Sequence, residues 1–214
     1  MKRIKDEYLD TIEKITPFFG KKVLEVGCGI GSRSIHIAKR CSYLIAIEPN
    51  VKLVNFAKEN NSAQNIEYLL SKAEHLGLPD KQFDIVFFTL SLHHVPIEKM
   101  STAIDEAIRV TKKDGHIIFL EPTENGNFFD AEITFDGSDG DEREEKRAAY
   151  NALRNHPDYE AVSEISDETV FQFDSLEDFI NNMKPKTNIE GIEGFLKKNN
   201  FILKASRRIN IFRV

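Results

Sequence analysis

Five short apolar runs, separated by stretches with helical periodicity, set the tightest limit on what this chain can fold into. Residues 22–26, 43–47, 66–70, 83–88 and 116–120 are each about the length of a buried strand and are rich in branched and aromatic side chains. Helices are predicted between them over 32–40, 51–60 and 99–111. In the last of these, Ala103, Ile104, Ala107, Ile108 and Val110 follow the three-to-four spacing of one buried face. Lys113-Asp114-Gly115 supplies a turn into the fifth run. Regular strand-helix alternation predicts an α/β fold, a doubly wound and mostly parallel sheet whose ligands sit beyond the carboxyl ends of the strands.

The residues at those ends carry the chemistry. Val26-Gly27-Cys28-Gly29-Ile30-Gly31 lies where the first strand turns into the first helix, and closely spaced glycines let backbone pass under a ligand with no Cβ in the way. The dinucleotide fingerprint G-x-G-x-x-G wants a glycine at position 32, where this chain has Ser32. Its spacing is instead G-x-G-x-G, with Glu25 two residues ahead. Glu48, followed by Pro49, ends the second strand, where a carboxylate can accept both hydroxyl hydrogens of a ribose. That feature serves S-adenosyl-L-methionine and NAD equally.

Two later stretches narrow the choice: Ser71-Lys72-Ala73-Glu74-His75-Leu76 after the third strand, and Thr89-Leu90-Ser91-Leu92-His93-His94-Val95 at the end of the fourth. With the glycine loop and Glu48, they make residues 21–122 resemble the class I S-adenosylmethionine-dependent methyltransferases, type 11 small-molecule group. The resemblance implies a Rossmann-like methyltransferase fold, S-adenosyl-L-methionine as cofactor and S-adenosyl-L-homocysteine as product. It implies that Gly27, Gly29 and Gly31 border the methionine and ribose portions, with Cys28 in the same loop and Glu25 holding the loop or the amino group. Glu48, with Pro49 beside it, would bind the ribose; Ala73 and Glu74 would edge the adenine; Thr89 and Leu90 would pass beneath the sulfonium. His93 and His94 would face the acceptor as candidate catalytic bases, since an imidazole titrates near neutrality. This chain departs from the pattern at Lys72, where the family often has an acid, at Leu76-Gly77 in place of Leu-Pro, and at Lys113-Asp114-Gly115. Adenine recognition then falls to Glu74 or to backbone.

Beyond residue 122 the composition changes. Residues 1–122 carry 17 basic and 16 acidic side chains, 123–178 carry 4 and 17, and 179–214 carry 8 and 2. The expected organisation is a cofactor-binding core over 1–122, an acidic insertion or lid on the substrate side over 123–178, and C-terminal helices and a strand over 179–214 that complete the same domain. Helices are predicted over 141–155, 179–183 (opened by Ser175 and Asp178 as a capping box) and 189–198, with 201–214 as an edge strand. The acidic stretch repels phosphate backbones, so a small-molecule substrate is expected and nucleic acid is not. No apolar stretch is long enough for a membrane span and the first residues are charged, which predicts a cytoplasmic protein. Cys28 and Cys41 stand outside any Cys/His cluster, so no metal is expected. At a helix N-terminus Cys28 could act as a nucleophile, although tight packing in the loop accounts for a small residue there. The alternatives to a methyltransferase are a nicotinamide-dependent oxidoreductase and a non-catalytic cofactor-binding partner protein.

Overall fold

The computed structural model describes residues 1–214. After β1 (Lys2–Lys5) and α1 (Tyr8–Glu13) the chain runs β2 (Lys22–Val26), α2 (Ser34–Ala38), β3 (Tyr43–Glu48), α3 (Val51–Asn60), β4 (Ile66–Leu70), β5 (Phe83–Thr89), α4 (Met100–Val110) and β6 (Thr111–Pro122). It continues through α5 (Asn127–Phe135), α6 (Arg143–Asn155), β7 (Glu160–Gln172), α7 (Leu176–Met183), α8 (Ile192–Lys198) and β8 (Ile202–Arg213). All eight strands join one sheet in the order β1-β7-β8-β6-β5-β2-β3-β4. The five strands from β4 to β6 are parallel, while β8, β7 and β1 extend the sheet antiparallel. It is the mostly parallel α/β sheet that the apolar runs predict.

Those runs are apolar on both faces because both faces are covered. Leu24, Val26, Ile45, Ile47, Val86, Phe88, Ile117 and Phe119 pack on one side against α4 and α6. Their neighbours Val23, Leu44, Ala46, Ile85, Phe87 and Ile118 pack on the other against α1, α2 and α3. A side-chain period of two thus sends alternate residues of the same run into two separate cores. A third, smaller core joins Phe135, Phe171, Phe173, Phe179, Met183, Ile192 and Leu196, binding α5, α7 and α8 to the ends of β7 and β8.

Three features differ from the sequence reading. The C-terminal strand is not an edge: β8 lies between β6 and β7, because residues 160–172, read as part of an acidic insertion, form a long strand along it. Charge explains the pairing. Glu160 and Asp167 stand directly opposite Arg213 and Arg207, and Glu164 pairs diagonally with Arg208 at 3.8 Å. Opposite charges in cross-strand positions favour this register over its neighbours. Lys113-Asp114-Gly115 is a bulge inside β6 rather than a turn before it. Thr111 pairs with Phe83 and His116 already with Ile85, and Asp114 takes φ +62°. Finally, β1 and α1 were not foreseen; β1 is exposed and α1 is only six residues long. No helix is long and apolar enough to cross a membrane.

Phe88 and Phe119 stack at 4.7 Å between centroids on adjacent parallel strands, and both are fully buried. Phe119→Ala is expected to lower stability by about 3–5 kcal/mol through lost burial and the cavity it leaves. Urea denaturation checks this, and a loss below about 1 kcal/mol would show that the stack is not a core contact.

Candidate functional site

Parallel strands send every following loop over the same edge of the sheet. From β2 the chain winds outward through β3 to β4, then returns to the other side of β2 as β5, which leaves a crevice between the loops after β2 and β5. A cavity of about 790 Å³ lies there, walled by Gly27, Gly29, Glu48, Thr89 and His93 and roofed by Phe128 and Phe129 of α5.

The glycine loop is shaped by its neighbours. Gly27 and Cys28 both donate their N–H to the Ile47 carbonyl at 2.9 Å, bending the chain across β3. Gly27 has φ +76°, and a Cβ on it would stand 2.3 Å from Cβ of Ser91. At Gly31 a Cβ would meet the Tyr68 hydroxyl at 2.5 Å, and this glycine does not reach the cavity wall. A Cβ on Gly29, by contrast, would meet nothing within 4 Å, so the open space over the loop lies at its middle glycine.

Two carboxylates hold this loop. Glu48 accepts the N–H of Gly29 at 3.1 Å and of Asn50 at 3.0 Å, one on each oxygen. It is 8% exposed and lines the cavity, so its remaining lone pairs face the space above the loop. Glu25 behaves differently. It is fully buried, accepts from the hydroxyls of Ser34 and Thr89, and does not reach the cavity wall. Burial raises its pKa against the pull of those two donors and of Arg33. Glu25 therefore ties the start of α2 to the end of β5, with no oxygen presented to the cavity.

Beyond the loop, Pro49, Ala73 and Glu74 line one end of the cavity, together with Lys72. Lys99 stands 3.3 Å from the Glu74 carboxylate. Burial opposes ionisation of Glu74, but its own backbone N–H and Lys99 prevail and lower its pKa. Thr89 and Leu90 border the middle of the cavity, and Leu90 holds a left-handed backbone at φ +59° while donating its N–H to Leu120 at 2.8 Å. Burial pushes the Cys28 thiol well above its ordinary pKa, which removes the thiolate a nucleophile would need.

The two histidines occupy different settings. His93 is 4% exposed, with Nδ1 on the buried carboxylate of Glu121 at the end of β6. Glu121 also accepts the N–H groups of Ser91 and Leu92 at 3.1 and 2.9 Å. One carboxylate thus fixes the turn after β5 and the ring it carries. His94 is about half exposed, and its Nδ1 stands 3.4 Å from Glu142. That carboxylate raises the pKa of His94 against the opposing effect of burial. In the roof, Lys146 stands between Glu132 at 3.5 Å and Glu142 at 3.6 Å, below the Phe129 ring. Burial pushes the Glu132 carboxyl up to about 7, although Lys146 opposes the shift.

Of the residues singled out from sequence, Gly27, Cys28, Gly29, Glu48, Pro49, Ala73, Glu74, Thr89, Leu90, His93 and His94 surround the one cavity, whereas Glu25 and Gly31 lie behind its wall. Glu121, Glu142, Lys146, Arg33 and Arg207 were missed. Only Glu121 had a local signal, since Glu121-Pro122 repeats at the end of β6 the Glu48-Pro49 pattern at the end of β3.

A doubly wound sheet with a glycine loop and an acid at successive strand ends defines a class of proteins that bind nucleoside-bearing ligands. Residues 24–119 match the family model described as a methyltransferase domain, so this part of the chain is similar to the class I, type 11 methyltransferases. It is 30% identical over 104 residues to a fatty-acid O-methyltransferase of Mycolicibacterium smegmatis, covering 48% of this chain and 37% of that protein. The chain spans only 36–49% of the length of the first curated relatives it matches. A solved Bacillus halodurans C-125 protein described as a candidate methyltransferase matches 96% of the chain and 97% of its own, with a TM-score of 0.66 at 19% identity. The [4+2]-cyclase SpnF matches 97% of this chain and 80% of its own, with a TM-score of 0.62 at 17% identity. At such identities the likeness is one of fold, and the cyclase shows that this fold also carries other chemistry.

Gly27→Ala is expected to cost about 2–4 kcal/mol of stability, from the left-handed backbone and the collision with Ser91. Chemical denaturation reads this directly, and a change under about 0.5 kcal/mol would mean that the loop yields.

Proposed function

We propose that this cavity binds S-adenosyl-L-methionine and that the protein transfers its methyl group to a small-molecule acceptor. The observation that carries the reading is Glu48: a nearly buried carboxylate, fixed by the N–H groups of Gly29 and Asn50, that still faces the cavity beside the open middle glycine. Its geometry suits the two hydroxyls of a ribose. Ser32 at the third fingerprint position, together with the family match, argues against a nicotinamide cofactor.

When bound there, the cofactor would supply a methyl group on a positively charged sulfur, a centre whose displacement depends mainly on alignment of the acceptor. In this reading Gly29 leaves room for the cofactor, Glu48 orients its ribose, and Thr89 and Leu90 form the floor. Phe128 and Phe129 exclude water from above. His93, locked by Glu121, is a positioning residue that shapes the acceptor wall. His94 is the group placed to take a proton from an acceptor hydroxyl or ammonium, with Glu142 stabilising its imidazolium. The domain division proposed here gives the core over 1–122 to the cofactor and the roof, α5 and Glu142, to acceptor choice.

Calorimetric titration with S-adenosyl-L-methionine and S-adenosyl-L-homocysteine, with NADH as control, tests the reading. Micromolar binding of the adenosyl ligands alone supports it, whereas binding of NADH alone overturns it. Glu48→Ala is expected to weaken the adenosyl ligands by about 1.5–3 kcal/mol, roughly ten- to more than a hundredfold. An unchanged affinity would refute the ribose assignment.

The His94–Glu142 pair sets a pH dependence. A base must be neutral to accept a proton, and Glu142 raises the pKa of His94 above the ordinary 6.5, so activity is expected to rise with pH through that elevated value. Glu142→Gln should move the His94 titration to lower pH, as followed by proton NMR of its imidazole. A titration unmoved by the substitution would dissolve the pair.

A further inference from the structure

One corner of the cavity carries an unresolved charge. Seven buried side-chain polar atoms in the protein make no aligned hydrogen bond, and five of them are here; Asp6 Oδ1 and both Nη atoms of Arg207 are in ion pairs, which leaves Tyr8 Oη and Arg33 Nε with no partner. Such atoms are few in folded proteins, and a cluster of them calls for an occupant or a physical cause. Arg3, Arg33 and Arg207 all line the cavity at this corner.

Two of the three guanidiniums are balanced. Asp6 lies 3.0 Å from Arg3 through Oδ2 and 2.7 Å from Arg207 through Oδ1. Asp167 pairs with Arg207 from the facing strand, its Oδ2 accepting from Nε at 2.6 Å. Arg33 has neither an ion pair nor a side-chain hydrogen bond. Asp6 and Asp167 thus pair with Arg3 and Arg207, whereas Arg33, which reaches the buried Glu25 only at longer range, is the guanidinium with no carboxylate in contact and lines the cavity beside the glycine loop. Burial lowers the pKa of Arg33, and Arg3 and Arg207 lower it further against the opposing influence of Tyr8 and Asp6. A guanidinium stays charged at any ordinary pH, and a bound anion would relieve this site.

From this geometry we propose that Arg33, backed by Arg207 and Arg3, is an oxyanion subsite of the cavity, taking a carboxylate or a comparable singly charged group through the unused N–H donors of Arg33. The location suits two sources. It adjoins the glycine loop, where the amino-acid end of an adenosyl ligand would lie, and it extends to Arg207 in the middle of β8, beside Pro122 at the end of β6, where an acidic acceptor could reach. The choice between these sources rests on the proposed cofactor; the subsite itself does not.

The test compares wild type with Arg33→Gln and Arg33→Lys, each first shown to be folded by its thermal midpoint. S-adenosyl-L-homocysteine is titrated against 5′-methylthioadenosine, which keeps the adenosine and sulfur but lacks the amino-acid end. Sodium sulfate is then added, with and without S-adenosyl-L-homocysteine, against sodium chloride of equal ionic strength, and the midpoint is followed. If the anion is the ligand's own carboxylate, wild type prefers S-adenosyl-L-homocysteine about tenfold or more. Arg33→Gln then erases that preference without changing the 5′-methylthioadenosine affinity, and Arg33→Lys restores part of it. If the anion belongs to the acceptor, both nucleoside affinities survive Arg33→Gln. Sulfate still raises the midpoint of the wild-type complex, and the Gln variant loses that response. Failure of wild type to bind either nucleoside removes the proposed function, while the sulfate response of the free protein still reports on the subsite. The subsite is overturned if Arg33→Gln matches wild type in both nucleoside affinities and in its sulfate response, or if wild type shows neither the preference nor the response.

Discussion

A parallel sheet delivers the carboxyl ends of its strands to one edge, and there the chain has placed three buried or nearly buried carboxylates: Glu25 one residue before the end of β2, Glu48 at the end of β3 and Glu121 at the end of β6. A buried carboxylate is costly unless donors surround it, so each recruits the N–H or O–H groups of the loops nearby. Glu25 takes hydroxyls from α2 and β5, Glu48 takes backbone N–H groups from the glycine loop and the start of α3, and Glu121 takes those of Ser91 and Leu92 and the ring of His93. The cavity owes its shape to this arrangement: loops that would otherwise be mobile are each tied to a neighbouring strand. Only Glu48 keeps lone pairs free toward the cavity. The same chemical device therefore serves as scaffold at two strand ends and as a ligand-facing group at the third.

The cavity is electrically divided. Toward the histidines, Glu121, Glu132 and Glu142 outnumber the single buried cation Lys146; burial raises the carboxyl of Glu132, and Glu142 raises the imidazole of His94. Toward β8 and β1 the excess is positive, centred on Arg33. Opposite fields at two ends of one low-dielectric space orient any polar guest before it makes a close contact. A ligand with an acidic end and a cationic or proton-bearing end would lie lengthwise, its acid at the arginines and its other pole near His94. Phe128 and Phe129 add apolar surface to the wall between them, and an occupant that displaced water from the cavity would strengthen both fields.

Most of the parallel core was legible in the chain, since a strand buried on both faces shows as an unbroken apolar run, and all five such runs became strands. What the chain concealed was the antiparallel extension. Residues 160–172 expose one flank and alternate charge with small or apolar side chains, so their pattern resembles a solvated acidic segment until the complementary strand is known. The candidate site divides in the same way. Gly27, Gly29, Glu48, Thr89 and His93 follow directly from strand ends and line the cavity. Glu142, Lys146 and Arg207 reach the cavity from elements far along the sequence, and nothing local marks them. Glu25 and Gly31 lay within the right motif but face inward, because hydroxyl partners claim the one and Tyr68 crowds the other.

The uneven charge of the chain has a further consequence. Seventeen acids in residues 123–178 and eight bases in 179–214 suggest, taken separately, an acidic surface that draws in cationic substrates and a basic tail. In the fold much of each answers the other: Glu160 with Arg213, Glu164 with Arg208, Asp167 with Arg207 and Glu168 with Lys204 along the β7–β8 ladder. Asp167–Arg207 is buried and the other three pairs are exposed and add little stability, yet a slip by one residue would turn every acid of β7 to the opposite face from its base. The asymmetry therefore acts chiefly as a register code for two long strands. The acids left for the cavity are the few that β8 does not reach, Glu132 and Glu142 among them, and they face a lysine and two histidines rather than bulk solvent. Net charge of the segment is thus a poor guide to the chemistry of the cavity.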